Sequence, residues 1–461
     1  MTSAPSLSFK LSSATAPIGA GPSLLYGLVQ VEGAAASEPL PSNLGFVLDT
    51  SESMRIRLAS EAQFSELVKA GYAQEVLTDG IPAYQISAIP GELVAGLPRR
   101  IDFLADALRS AGEMLRKGDY FSLVAFASQA ACLIEQAPGD EHERLRLAAA
   151  NLEDLRLGDS TQIHKGLALA LEEARRLPGG SLATRLILLT DGHTQSVKRV
   201  YELAEQAKQA GIKITTMGIG SEFNEELLIP LADLTGGKAY FIETPEKIGE
   251  AFRQELGSAL RISYRNLEVK ILLAKGVSLR RAYRVLPDMG EFDTGPCRDQ
   301  SYALLLGDYD PSHPVGLLLE IVVEDGSPGK SRLAQVVLQW DNPEDGDRRQ
   351  SPRYDIEIER SAVGIEVKDQ AVKQAVDRLS AYITGKQALE EAGSARAKED
   401  AQARDAATVR LRQAATRMLD MGEQGLADMF LDQAERLEQN AELDQNAAKS
   451  LRYNTRRLSP S

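Results

Sequence analysis

Leu44-Gly-Phe-Val-Leu-Asp-Thr-Ser-Glu-Ser-Met54 is the stretch on which the reading of this chain turns. Leu44 to Leu48 is an apolar run with the length and composition of a strand buried on both faces. It stops abruptly at Asp49, and Ser51 and Ser53 follow at alternate positions. The turn after the strand therefore carries one carboxylate and two hydroxyls. In an open parallel α/β sheet, the loops at the carboxyl ends of the strands form the binding crevice. Oxygen side chains gathered there suit a hard cation such as Mg2+, which takes oxygen ligands and keeps several waters. Taken alone, the same residues would make an ordinary helix start, because Asp and Ser are favoured N-caps.

Two later stretches weigh against that plainer reading. Arg185-Leu-Ile-Leu-Leu-Thr-Asp-Gly192 is a second apolar run that ends in an acid, Asp191. Leu157-Gly-Asp-Ser-Thr-Gln-Ile-His-Lys-Gly-Leu167 is a polar loop opening a helix, with Thr161 as its candidate ligand. In order and spacing, the three stretches resemble the von Willebrand factor type A domain. The metal-ion-dependent adhesion site of that family uses Asp-x-Ser-x-Ser, a Thr on a second loop and an Asp on a third. Asp49, Ser51, Ser53, Thr161 and Asp191 stand at the matching positions. The stretches 217–227 and 235–241 resemble later strands of bacterial members.

The resemblance implies a chemistry for each residue. Ser51 and Ser53 would ligate Mg2+, with Mn2+ or Ca2+ as alternatives, through their hydroxyls. Asp49 and Asp191 would act directly or through water, and Thr161 would join when the site is ready for its ligand. The implied partner is a protein that offers an exposed Glu or Asp side chain to the metal. Some bacterial relatives work beside AAA+ ATPases of the MoxR type, which makes such an ATPase a candidate partner by analogy alone. Glu52 departs from the small residue, often Gly, that usually precedes the second Ser.

The rest of the chain bounds this reading. With 461 residues, two or three domains are expected. The net charge of −14 argues against nucleic acid, whose phosphates require a basic surface. Cys132 and Cys297 are the two cysteines, so no disulfide framework is expected. Residues 1–13 lack the basic and apolar segments of a signal peptide, and no stretch approaches the roughly 18 apolar residues of a spanning helix. A cytoplasmic protein without a membrane span is the expectation.

The expected architecture is an α/β unit with a doubly wound, mostly parallel sheet, inserted in a β-sandwich and followed by a helical bundle or hairpin. Residues 1–36 hold strands at 6–11 and 24–31, joined by a turn at 14–22, that complete the sandwich. The α/β domain occupies 41–260. An insertion at 55–98 separates its first strand from its first long helix, 101–117. Within the insertion a helix is expected at 60–70, a hairpin around Asp79-Gly80 and another helical turn at 92–96. Leaving from the metal turn, it reads as a lid or as an edge decoration. Strands at 267–273, 301–306, 315–323, 334–340 and 353–358 build the sandwich domain, 261–360, with Trp340 in its core. Helices fill 365–461, with a break at Gly393-Ser394. The basic stretch 451–458 is expected to be solvated, or to dock on the protein's own acids or on a partner. His164 is expected to face solvent or to pack, and His193 to stand close to the site.

A metal-dependent hydrolase is the rival function, since metal-bound water can be activated. No nucleophile–base pair, phosphate loop or zinc motif accompanies the five residues, so no enzyme is expected. A calcium-activated chloride channel component, the label often carried by bacterial relatives with a following β domain, would need a membrane span. A metal-independent scaffold with a vestigial site is a further alternative; intact oxygen residues at all five positions argue against it.

Overall fold

The computed structural model of the chain describes residues 4–19, 21–33, 39–57, 61–78, 81–86, 97–177, 182–192, 194, 196–220, 223–292, 294, 300–342, 346–361, 369–397, 401–439 and 443–458. Asp79-Gly80, the turn expected at 92–96, His193 and Cys297 lie outside these residues.

The chain begins in a sheet that it completes much later. Strand β1 (Ser6–Leu11) pairs antiparallel with β3 (Ser23–Glu32), and their alternating residues Leu7, Leu25, Val29 and Val31 are buried. Between them lies β2 (Thr15–Pro17), within the stretch expected to be a turn. It pairs in parallel with the final strand of the opposite sheet. Three residues, of which only Ala16 is buried, are too few to show an alternation in the sequence.

The α/β unit follows. Strand β4 (Ser42–Asp49) is buried along its whole length. After the oxygen-rich turn come α1 (Glu61–Lys69) and a hairpin of β5 (Ala73–Thr78) and β6 (Ile81–Ile86). Helix α2 (Arg100–Met114) buries Ile101, Leu104, Ala105, Leu108 and Ala111 on one face, as their spacing requires. Next are β7 (Tyr120–Phe126), β8 (Ala130–Pro138), α3 (Glu143–Ala150) and α4 (Ile163–Ala174). Then come β9 (Ala183–Thr190), α5 (Val197–Gln209), β10 (Lys213–Ile219), α6 (Glu225–Thr235), β11 (Ala239–Ile242) and α7 (Ile248–Ala259).

The strand order is β11-β10-β9-β4-β7-β8, parallel except for the edge strand β8. The sequence reading passed over β8. Within it only Ile134 and Ala137 are fully buried hydrophobics, and two register shifts against β7 blur the alternation. Helices α2, α3 and α7 cover one face of the sheet, and α4, α5 and α6 the other. Leu44, Phe46 and Leu48 point into the first core and Val47 into the second. Each such side chain contributes about 1.5–3 kcal/mol by leaving water. The chain passes from β4 to β7 on one side and returns to β9 on the other, so the sheet switches direction at the carboxyl end of β4.

Strands β12 (Tyr264–Leu273), β13 (Val277–Leu286), β14 (Gly290–Glu291), β15 (Ser301–Tyr309), β16 (Val315–Val323), β17 (Gly329–Asp341), β18 (Arg348–Gln350) and β19 (Tyr354–Ser361) form the rest of the sandwich. One sheet runs β1-β3-β16-β13-β14 and the other β15-β12-β17-β19-β2. The α/β unit thus interrupts the sandwich between β3 and β12. The two sheets share a core that includes Leu25, Val269, Leu317, Val336 and Trp340. Strand β13 was not expected from the sequence. A bulge between Leu279 and Arg281 breaks its period of two.

Helices α8 (Gln370–Ala397), α9 (Ala401–Asp420), α10 (Gln424–Glu438) and α11 (Gln445–Arg456) complete the fold. Helix α8 runs through Gly393-Ser394, where a break was expected. A helical Gly costs about 1 kcal/mol, and burial of Leu389 and Ala392 in the helical core just before it offsets that cost. Val372, Ala375 and Leu379 pack on Leu28, Tyr283 and Leu318, so those three sandwich strands are covered on both faces. Among the described residues, no helix is long and apolar enough to cross a membrane.

The basic stretch 451–458 is not solvated; it docks on the protein's own α/β unit. Tyr453 packs against the rings of Phe223 and Phe241, with centroids 6.2 and 5.8 Å away. Arg456 Nη2 donates to both oxygens of Asp233 at 2.7 and 2.9 Å. Arg284 of β13 donates to the same carboxylate at 2.9 Å. Arg452 pairs with Glu225. One acid of α6 therefore joins the α/β unit, the sandwich and the last helix.

Candidate metal centre

The switch point of the sheet fixes where the candidate ligands come together. Asp49 ends β4, and Asp191 follows the last residue of β9, its immediate neighbour in the sheet. Backbone bonds lash the adjoining loops to the end of β7. Thr50 N–H donates to Phe126 O at 2.8 Å, and Gln162 N–H to Ala127 O at 3.0 Å. Glu52 N–H donates to Asp159 O at 3.2 Å, which ties the Asp49 turn to the loop bearing Thr161. The turn itself closes as a short 3-10 helix (Glu52–Arg55) anchored by the buried Met54. With Met54 held in the core, Ser51 and Ser53 lie over the carboxyl end of the sheet, and the Glu52 side chain is exposed.

All five residues converge. The Ser51 and Ser53 hydroxyls lie 3.1 Å apart. Ser53 donates to Asp191 Oδ1 at 2.7 Å, and Thr161 Oγ1 donates to Ser51 Oγ at 3.3 Å. Asp49 stands behind them: Oδ1 accepts the Ser51 N–H at 2.9 Å, and Oδ2 accepts the Thr190 hydroxyl at 2.6 Å. Its oxygens thus shape the turn, while Oδ1 of Asp191 faces the Ser53 hydroxyl. Gly192 is required by the close approach of the loops, because a Cβ there would meet Thr161 Oγ1 at 2.7 Å.

Two residues that the sequence reading missed complete the cluster. Thr190 orients Asp49; its signal was its place directly before Asp191 at the end of an apolar strand. Arg100, the first residue of α2, donates from Nη1 to Asp191 Oδ2 at 3.0 Å and to the Ser53 carbonyl at 3.1 Å. Its available signal was two arginines at a helix start, where the helix dipole disfavours cations. Arg99 is held there by Asp102 and Glu153, and Arg100 by the acid of the site.

The electrostatics follow from burial. Burial raises the Asp49 carboxyl to about 6, and the charge of Asp191 adds to the rise, against hydrogen bonds from Ser51 and Thr190. Burial also raises Asp191, opposed by Ser53 and Arg100. Two acids buried together resist ionising together, and a cation among their hydroxyl neighbours would reverse that penalty. The side chains gathered here are neutral hydroxyls with the Asp191 carboxylate among them and Asp49 behind, all oxygen, which fits a hard divalent ion. Among the described residues, no group of three or more His, Cys, Asp or Glu side chains is placed to hold a metal ion. His164 sits half-buried on α4 with its Nδ1 enclosed, and burial with nearby Arg199 lowers its pKa.

The insertion is closed at its root. Arg57 Nη1 donates to Leu97 O at 2.8 Å, and Arg57 bridges to Arg99. Arg55 reaches the carbonyls of Glu153 and Leu155. Both ends of the segment therefore leave from one point on the rim of the site. Replacing residues 58–96 with a short glycine linker is expected to leave divalent-metal affinity within about threefold of wild type and to change partner affinity, both measurable by titration calorimetry.

Comparison with known proteins bears on the fold that carries this cluster. The von Willebrand factor type A domain family matches residues 95–241. That span begins beyond β4, so Asp49, Ser51 and Ser53 are placed by the structure and not by the match. The Sll0103-like, C-terminal alpha-helical domain family matches residues 370–460. The protein sll0103 of Synechocystis sp. is 25% identical over 242 residues, covering 51% of this chain and 56% of that relative, so this chain spans little more than half of its length. The structure of a von Willebrand factor type A protein from Catenulispora acidiphila superposes with a TM-score of 0.74 at 14% identity, covering 100% of this chain and 98% of that one. The ArnB paralog VWA2 from Sulfolobus acidocaldarius gives 0.56 at 15% identity, covering 98% of each chain. At such identities these likenesses speak for the fold. The chain carries a von Willebrand factor type A domain, set within a β-sandwich, and an Sll0103-like C-terminal helical domain.

Proposed function

We propose that this protein is a Mg2+-dependent protein-binding module that captures an acidic side chain of a partner. The observation that carries the reading is the convergence of the Ser51, Ser53 and Thr161 hydroxyls with Asp191 at the switch point of the sheet. In this reading Ser51, Ser53, Thr161 and Asp191 hold the ion. Asp49, fixed by Ser51 N–H and the Thr190 hydroxyl, keeps the turn in shape. The bound ion supplies positive charge with coordination positions open to an outside carboxylate oxygen. Neutral hydroxyls dominate the donor set and Asp191 is its one carboxylate, so the atoms that would touch the ion meet only part of its charge. An acidic protein of net charge −14 gains a local point of attraction for an acid that its overall field would repel.

The proposed role is binding and not catalysis. The convergent groups are hydroxyls and carboxylates already bonded to one another, an arrangement suited to holding a cation. A MoxR-type AAA+ ATPase is one partner to try in capture experiments, by family analogy, and the cytoplasm is the proposed setting. Calorimetric titration of the full chain with Mg2+ tests the site. One equivalent bound, and lost in Asp191→Ala, is the expected result; no binding by the wild type refutes the reading.

A further inference from the structure

Arg100 lies against the candidate site in a way that the proposed coordination does not use. Its Nη1 binds Asp191 Oδ2 while the other oxygen of that carboxylate takes the Ser53 hydroxyl. The Asp191 side chain is almost wholly enclosed, and the arginine is about one-fifth exposed, with side-chain accessibilities of 1% and 20%. Arg100 Nε is buried without a hydrogen-bond partner. The guanidinium is thus held at the site with part of its hydrogen-bonding capacity unmet, an arrangement that puts a full positive charge beside a candidate ligand.

Asp49 and Asp191, when ionised, contribute two negative charges, and a divalent ion alone would neutralise them. With Arg100 in place the loaded site carries one surplus positive charge. The same charge opposes the incoming cation and competes with it for Asp191. We propose that Arg100 sets the charge of the metal-loaded site, weakening divalent-ion affinity and selecting an anionic partner side chain over its neutral amide counterpart. This rests on the metal-binding reading above. Arg100 acts through Asp191 and is a positioning and specificity-determining residue.

The test uses the full-length protein and Mn2+, whose free and bound forms are counted by electron paramagnetic resonance. Water-proton relaxation of the Mn2+-loaded protein then reports displacement of coordinated water by acetate or by acetamide. Arg100→Gln removes the charge and keeps a hydrogen-bond donor; Arg100→Lys keeps the charge. Arg100→Gln is expected to bind Mn2+ about tenfold tighter and acetate about tenfold more weakly, with acetamide unchanged. Arg100→Lys is expected to stay within about threefold of wild type for both. Circular dichroism verifies that each variant is folded. If both variants lose Mn2+ affinity, Arg100 merely props the Ser53 turn, and the inference falls. Tighter Mn2+ with unaltered acetate binding overturns the selectivity. A wild type that binds no Mn2+ refutes the metal site itself, an outcome distinct from either.

Discussion

Asp49→Asn is expected to lower Mg2+ affinity by about 100-fold, the upper range for residues that orient metal ligands rather than bind directly. Both Asp49 oxygens are occupied by donors from Ser51 and Thr190, so the substitution acts on the shape of the turn. The amide has nearly the volume of the acid, and the strand around it is buried by apolar contacts on both faces. The fold should therefore survive, with far-ultraviolet circular dichroism unchanged. Any Mg2+-dependent capture of a partner should disappear at the same time. A variant that binds Mg2+ as wild type does would remove Asp49 from the site. A variant that fails to fold would show as lost ellipticity; Thr190→Val, which deletes only one donor to Asp49, then reports on the same role and is expected to cost about tenfold.

Asp233→Ala carries the largest expected effect on structure. Its carboxylate is shared by Arg456 and Arg284, and Arg456 is buried. The two guanidiniums are buried but Asp233 is partly exposed, so removing it is expected to cost about 3 kcal/mol, the lower end of the range for breaking a buried pair. The loss should concentrate in α11, whose basic face also meets Glu225 and the rings of Phe223 and Phe241. Hydrogen exchange over residues 445–458 should accelerate by more than about 100-fold, while β4 and β9 remain protected. Arg456→Ala should behave similarly. The double variant should be less destabilised than the sum of the singles, because the two groups form one interaction.

The same cluster sets a pH dependence of known sign. Burial alone would raise the Asp233 carboxyl, but the charges of Arg456 and Arg284 hold it below the ordinary value of 3.8. A carboxyl lowered on folding stabilises the folded state at pH values above 3.8, and that contribution is lost as pH falls below this value toward the folded pKa. Release of α11, followed by exchange or by proteolysis at its arginines, should therefore begin only in strong acid in the wild type. It should be present already at neutral pH in Asp233→Ala.

Much of the α/β unit was legible in the sequence because each key strand is an apolar run stopped by an oxygen side chain. Leu44 to Leu48 ends at Asp49, and Arg185 to Leu189 leads through Thr190 to Asp191, so strand, direction and candidate ligands are read together. The features that were missed have physical causes. Strand β8 buries little and slips register twice, and β13 carries a bulge among arginines, so neither keeps a period of two. Helix α8 continues through Gly393 because tertiary packing outweighs propensity. Arg100 stands 91 residues from Asp191, and its role is a contact between loops that no local pattern encodes. The basic tail looked solvated because its partners, Asp233, Glu225 and the Phe223 ring, lie on a different domain and more than two hundred residues away.

A paired pull-down reads out metal-dependent capture of an acidic side chain. The full-length protein is immobilised and exposed to native lysate with Mg2+ or with chelator, beside Asp49→Asn, and retained proteins are identified by mass spectrometry. The expected result is a protein retained only by the wild type with Mg2+ and lost when one of that protein's exposed Glu or Asp residues is changed to its amide. Equal retention in chelator and by Asp49→Asn would contradict it and would move the binding surface away from the five-residue cluster.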